Sequence, residues 1–314
     1  MLLLDETRTR DLLSWPALID ALSTMFRGGC VMPVRHHHTV AVPGADPATL
    51  LLMPAWVPGR YAGVKIVAVF PSNGARGLPA VQGNYMLMSG ETGVPLAMVD
   101  GGELTARRTA AASALAASRL AREDAETLTV IGAGRLSANL VAAHATVRPI
   151  RRATIWARDP SKARGAAAAL AVEGVDITVA DDLERAVRDA DIVSAATLST
   201  TPLVRGAWLK PGAHVDLVGA FRPDMRESDD ASVRRASLFV DTRDGALSEG
   251  GDLVQPIREG VISEADIRAD LFDLMQGRHP GRTDAEEITL FKSVGAALED
   301  LAGAILAYER ARDT

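Results

Sequence analysis

One segment constrains this chain more than any other: Thr127-Leu128-Thr129-Val130-Ile131-Gly132-Ala133-Gly134-Arg135-Leu136-Ser137. Its β-branched and apolar run reads as a buried strand, the glycines end it, and the stretch to about Thr146 has helical spacing. Gly132 permits a tight turn, and Gly134 lets the backbone approach a pyrophosphate with no side chain in the way. The helix start adds free N–H groups and the positive end of its dipole. Ser137 stands where such turns carry a third small residue. The setting supports the motif, because ATIWAR (153–158), DITVA (176–180), DIVSAAT (191–197), HVDLVGA (214–220) and SLFVDT (237–242) follow as strands, with helical stretches among them. Such alternation builds a parallel sheet with helices on both faces, so a Rossmann-type, doubly wound α/β domain is expected at 119–287. Gly132, Gly134, Arg135 and Leu136 are its expected dinucleotide contacts, and Thr197, at a strand's carboxyl end, is another.

The first third reads differently. Leu12, Leu13, Trp15, Leu18, Ile19, Leu22 and Met25 place an apolar stripe on a helix ending at Gly28-Gly29. Strands are then expected at 31–42, 50–54, 63–70 and 85–88, separated by turn-rich PGADP, VPGR and PSNGARGLP. Residues 104–122 are an alanine-rich helix, and 286–312 read as one long helix returning to the first lobe. The expected division is therefore 1–118 plus 288–314 for an α/β substrate-side domain, and 119–287 for the dinucleotide domain.

A chain of 314 residues has room for two cores, and 47% hydrophobic with 24% charged residues is folded, globular usage. A net charge of -6 provides no global basic field, so nucleic acid is not an expected partner. The lone Cys30 cannot form an intramolecular disulfide, and MLLLDETRTR is too short of apolar residues for a signal segment. No run approaches the roughly 20 apolar residues of a membrane span. A soluble cytoplasmic protein is expected. The cations divide into 30 arginines and four lysines, Lys65, Lys162, Lys210 and Lys292. Of these, Lys65 in GVKIVAVF is the one set where proton chemistry would need it, since a charge among apolar neighbours must be paired or must face solvent at a sheet edge. Partial burial would lower its pKa toward neutrality.

The end of the second strand distinguishes NAD from NADP. An acid there accepts ribose hydroxyls, whereas this chain has Ala157-Arg158 with Ser161 and Lys162 nearby, which suits a 2′-phosphate. NADP is favoured, with NAD possible should Asp159 turn toward the ribose.

Several stretches together resemble the ornithine cyclodeaminase/mu-crystallin family: Met32-Pro33-Val34-Arg35; Gly63-Val64-Lys65 with Phe70-Pro71-Ser72-Asn73; Gly77-Leu78-Pro79; Glu91 to Ala97; Leu104-Thr105-Ala106-Arg107-Arg108-Thr109-Ala110-Ala111; Gly132-Ala133-Gly134; Val218 to Asp229; and Phe291-Lys292-Ser293-Val294-Gly295. They lie in order along nearly the whole chain. The resemblance implies a homodimer whose first lobe provides the dimer interface and substrate pocket, and a dinucleotide lobe presenting nicotinamide to it. It further implies hydride transfer at a carbon bearing an amine or imine nitrogen. Arg108 would grip the substrate carboxylate, with Arg35 and Lys65 completing the anionic subsite, and Thr109 and Ser293 would join the cofactor contacts. An interlobe salt bridge is the alternative for Arg35, and a helix cap for Ser293.

One departure narrows the chemistry. True ornithine cyclodeaminases resemble GGDxPGKTEL where this chain reads Gly219-Ala220-Phe221-Arg222-Pro223-Asp224-Met225-Arg226-Glu227, so Phe221 stands at the position of an aspartate that handles the substrate amine. A phenyl ring accepts no proton. What remains is reduction of a cyclic ketimine such as Δ1-pyrroline-2-carboxylate, with Phe221 as an apolar wall. Asp224 could substitute for the missing acid only if Arg222 and Arg226 do not hold it in surface pairs. Cyclodeamination of ornithine and non-catalytic NADPH-dependent binding are the rival readings. No metal is expected: only His36 and His38 of the 36–38 triplet share a strand face, with no other ligands at suitable spacing.

Overall fold

The computed structural model describes residues 1–313 and contains two β-sheets of different kinds. In chain order it runs β1 (Leu2–Leu4), α1 (Glu6–Leu12), α2 (Trp15–Gly28), β2 (His36–Val40), β3 (Ala48–Val57), β4 (Tyr61–Val69), β5 (Val81–Ser89), β6 (Pro95–Asp100) and α3 (Gly101–Leu120). Then follow β7 (Thr127–Ile131), α4 (Arg135–Val147), β8 (Arg152–Trp156), α5 (Pro160–Ala168), β9 (Asp176–Val179), α6 (Leu183–Asp189), β10 (Ile192–Ala195) and β11 (His214–Leu217). The chain continues through α7 (Asp230–Arg235), β12 (Ser237–Val240), α8 (Arg243–Glu249), α9 (Gly251–Arg258), β13 (Ile267–Asp270), α10 (Leu271–Met275), β14 (Thr289–Lys292) and α11 (Ala297–Asp313). Two compact units result: residues Met1–Arg108 with the stretch from Ala297, and residues Thr109–Ala296.

In the first unit the sheet order is β1-β6-β5-β4-β3-β2, antiparallel except for the β1–β6 pair. The strand expected over 31–42 is confined to His36–Val40, since Pro33 has no N–H to give a ladder. Its three histidines lie exposed on an edge strand. Helix α2 buries Leu18, Leu22 and Phe26, the stripe seen in the sequence. Helix α11 packs on α2 and on β3, β4 and β5. Its small residues permit close approach: a Cβ at Gly303 would stand 2.7 Å from Leu104 Cδ1.

The second unit holds an all-parallel eight-stranded sheet, β13-β12-β14-β11-β10-β7-β8-β9. From β7 the chain builds outward through β8 and β9, then returns to lay β10 on the other side of β7. The carboxyl ends of β7 and β10 thus form the switch point where doubly wound sheets bind ligands.

Two boundaries differ from those expected. Residues 286–312 are not one helix: Thr289–Lys292 is a strand between β11 and β12, and Gly295, at φ 83°, separates it from α11. Residues 288–296 therefore belong to the second unit. Nor does the first unit end at 118. The division falls inside α3, after Arg108, because the following residues pack in the second unit, where Ser113 Oγ donates to Asp216 Oδ1 at 2.9 Å. Among the described residues no helix is long and apolar enough to cross a membrane.

Candidate functional site

Lys65 sits on β4, paired on both sides, and is 3% exposed, so it is no edge-strand surface lysine. Its Nζ stands 2.7 Å from Asp300 Oδ2. The other oxygen of Asp300 accepts from Arg108 Nε at 3.0 Å, and Arg108 Nη1 donates to Glu299 Oε2 at 2.6 Å. Glu299 and Asp300 lie in the first turn of α11, where the helix dipole favours negative charge, and neither is exposed. Buried charges persist only when paired, and here each cation has a carboxylate. Arg35, half-buried, adds its field at Lys65. Two cations, Lys65 and Arg108, thus share Asp300. The hydrogen bonds of Arg108 use Nε and Nη1, which leaves Nη2 for a ligand.

The electrostatics of the cluster follow from burial and neighbours. Burial lowers the Lys65 pKa to about 8; Asp300 opposes the fall, and Arg108 and Arg35 add to it. Burial acts against the charge of Asp300, but Arg108 and Lys65 more than offset it and hold the carboxyl below its usual range. Directly across from Lys65 in register is Tyr85, fully buried, whose hydroxyl has no hydrogen-bond partner. The ring lies over Gly63, where a Cβ would come within 2.4 Å of that hydroxyl.

In the second unit the turn after β7 has the geometry its glycines suggested. Gly132 takes φ 123°, a backbone region that favours glycine, and a Cβ there would stand 2.8 Å from Ala196 O. Gly134 is the N-cap of α4 with no side-chain cap, and its would-be Cβ meets open space. Ser137 is fully buried beneath the turn, its Oγ without a partner. An uncapped helix start facing open space fits a dinucleotide pyrophosphate. Arg135 beside it is exposed and Leu136 half-buried. At the end of β8, Arg158 is exposed, while Asp159 caps α5: its Oδ1 accepts from Ser161 N at 2.9 Å and from Ser161 Oγ at 2.7 Å.

Thr197 and Phe221 lie beyond the ends of β10 and β11, and Phe221 is 44% exposed. Arg222 grips Asp224 bidentately, at 3.0 and 2.8 Å, in the surface pairing the sequence suggested, while Arg226 pairs with Asp230. Thr109 is nearly buried on α3. Ser293 is no helix cap; its hydroxyl donates to Asp241 Oδ2 at 3.0 Å.

Four buried acids and a lysine were not among the sequence candidates. Glu299 and Asp300 are two adjacent acids in the otherwise apolar helix GAALEDLAGAIL, a signal the sequence did carry. Glu227, Asp252 and Lys292 are fully buried in the second unit, with Lys292 Nζ 3.0 Å from Asp252 Oδ2. Lys65 is therefore not the only buried lysine paired with an aspartate.

One unit with a glycine-turn Rossmann-type sheet and one carrying a buried lysine–arginine site define the class of two-unit dinucleotide-dependent proteins. The chain belongs to the ornithine cyclodeaminase/mu-crystallin family, whose profile matches residues 4–314. It is 42% identical over 290 residues to the Δ1-pyrroline-2-carboxylate reductase of Paracoccus denitrificans, covering 92% of this chain and 90% of that one. A solved structure of Thermococcus litoralis Δ1-pyrroline-2-carboxylate reductase, in complex with NADH and L-proline, superposes with TM-score 0.92 at 35% identity, covering 100% of this chain and 98% of that one. An archaeal alanine dehydrogenase dimer with bound NAD superposes with TM-score 0.90 at 30% identity, covering 100% and 96%.

Proposed function

We propose that this chain is an NAD(P)H-dependent reductase of a cyclic imino acid of the Δ1-pyrroline-2-carboxylate kind. The observation that carries the reading is the Lys65–Asp300–Arg108 cluster, which sets a depressed-pKa ammonium beside a guanidinium with donors to spare. Similarity to two pyrroline-carboxylate reductases supports the substrate class. The bound dinucleotide would supply hydride to the imine carbon. Arg108, assisted by Arg35, holds the substrate carboxylate through paired donors. Lys65 hydrogen-bonds the ring nitrogen and gives it the proton that completes the amine, then regains one from water. Asp300 aims Nζ and keeps it charged, and Phe221 is assigned the part of an apolar wall in place of an acid. Gly132, Gly134, Arg135, Leu136, Thr109, Thr197 and Ser293 are assigned to the nucleotide's surroundings. NADP is the preferred cofactor: Asp159 is committed to capping α5, which leaves exposed Arg158 to meet a 2′-phosphate. A homodimer is the expected assembly, as for the archaeal relative.

Ornithine cyclodeamination is the weaker reading. Phe221 cannot take a proton, and Asp224 is held by Arg222, which keeps its carboxyl below the usual range. Purified protein should oxidise NADPH on addition of Δ1-pyrroline-2-carboxylate and release no ammonia from ornithine with NAD. Ammonia from ornithine without imine reduction would overturn the assignment, and inactivity in both assays would favour a binder.

A further inference from the structure

We propose that Glu227, backed by Asp252 and Lys292, is a positioning residue: a buried latch that ties the end of β10 to the end of β11 at the switch point and fixes the loops carrying Thr197 and Phe221. The inference rests on the reading above that this unit holds a nicotinamide dinucleotide.

The geometry is that of a carboxylate surrounded by donors from two strand ends. Glu227 Oε1 accepts from Thr197 N at 2.6 Å and Thr197 Oγ1 at 2.8 Å. Its other oxygen accepts from Gly219 N at 2.8 Å and Ala220 N at 3.1 Å. The loops are in backbone contact, since a Cβ at Gly219 would stand 2.1 Å from both N and O of Thr197. The backbone of Glu227 is itself held: Asp252 Oδ1 accepts from Glu227 N and Ser228 N, both at 2.8 Å. Helix α9, which carries Asp252, presses on the loop beyond Phe221, because a Cβ at Gly251 would stand 2.0 Å from Met225 O. Lys292 Nζ, at the end of β14, neutralises Asp252 and attracts Glu227.

None of the three side chains reaches solvent, so they act through the loops and not on a ligand. Stability alone is a poor reason for such a cluster, because buried ion networks can often be replaced by apolar residues without loss. Four donors converging from two strand ends do what apolar packing cannot, which is to fix the separation and direction of both loops. Burial and the nearby Asp252 raise the Glu227 pKa to about 7 against the pull of Lys292, so the ionised, four-bond form is held at some cost.

The test begins with cofactor-free protein. In Glu227→Gln, which turns one acceptor into a donor facing other donors, amide exchange should quicken about tenfold in 196–199 and 218–221 but not in the turn after β7. NADPH Kd should stay within about threefold, while kcat for imine reduction falls on the order of 10²-fold, the cost of misplacing reacting groups by about 1 Å. Thr197→Val removes a single hydroxyl donor from the latch and should quicken exchange in the same two loops about fivefold; exchange is its readout, because Thr197 also belongs to the nucleotide's surroundings. If Glu227→Gln unfolds or exchanges fast throughout, Thr197→Val decides: loop-confined acceleration supports the latch. Wild-type exchange in Thr197→Val, or wild-type exchange and kcat in a folded Glu227→Gln, would overturn it. A wild type inactive on the imine would defeat the functional reading but leave the exchange arm intact.

Discussion

Each unit buries a lysine against an aspartate in the first turn of a helix, yet the two clusters are charged in opposite senses. In the first, two cations, Lys65 and Arg108, share Asp300, and Arg35 adds its field at Lys65. The group displaced toward neutrality is the lysine, at about 8. In the second, Lys292 serves both Asp252 and Glu227, so the excess is negative, and the displaced group is the carboxylate of Glu227, at about 7. Burial is the same in both; the local ratio of cations to anions decides which group is displaced toward neutrality. The first cluster can therefore attract an anion and donate a proton to it, while the second, closed by protein donors, can only hold backbone in place.

The comparison is most exposed to Lys65→Met, which should lower kcat/KM for the imine by about 10²–10⁴-fold, as loss of a general acid does. NADPH Kd, read by fluorescence, should not follow. Next come the two aspartates. Removing one partner of a buried ion pair costs about 3–5 kcal/mol, so Asp300→Asn and Asp252→Asn should both lower the thermal midpoint. Only Asp300→Asn should also move the alkaline limb of kcat/KM to lower pH, because Lys65 loses the neighbour that holds its proton. Equal pH profiles would erase the distinction between the clusters. Arg158→Ala should raise KM for NADPH about tenfold and leave NADH nearly unchanged, the worth of a charge-assisted contact to phosphate.

A separate effect concerns a buried group with no part in either cluster. His214, with Nδ1 3.0 Å from Thr289 Oγ1, has its pKa lowered to about 3, chiefly by burial. The unfolded chain then binds a proton that the folded one refuses, so stability is lost as pH falls from about 6.5 toward 3. His214→Gln should flatten that acid slope in calorimetry, and an unaltered slope would show that His214 does not set it.

How much of this was legible in the sequence depended on distance along the chain. The turn at Gly132 and Gly134 was, because its requirement is local: φ 123° and an unobstructed helix start follow from glycine itself. The charge of Lys65 in an apolar strand showed that a partner was needed, but the partner, Asp300, comes from the C-terminal helix and cannot be deduced from spacing. Lys292 is hidden for a related reason. Thr289–Lys292 is only four residues long, and apolar residues around it at helical spacing absorbed it into the helix that follows. Without that strand the lysine has no place in the sheet, and nothing local marks Glu227 and Asp252 as buried. The boundary inside α3 was hidden because the helix runs on unbroken and only the packing of its two ends differs.

The central claim is that the first unit's lysine delivers the proton that imine reduction requires. The direct measurement is kcat/KM for Δ1-pyrroline-2-carboxylate with NADPH across pH, wild type beside Lys65→Met. Wild-type activity should be full below about 8 and fall as pH rises past it, while the variant should be low with no such limb. A variant within about threefold of wild type, or one that keeps the same alkaline limb, would contradict the account.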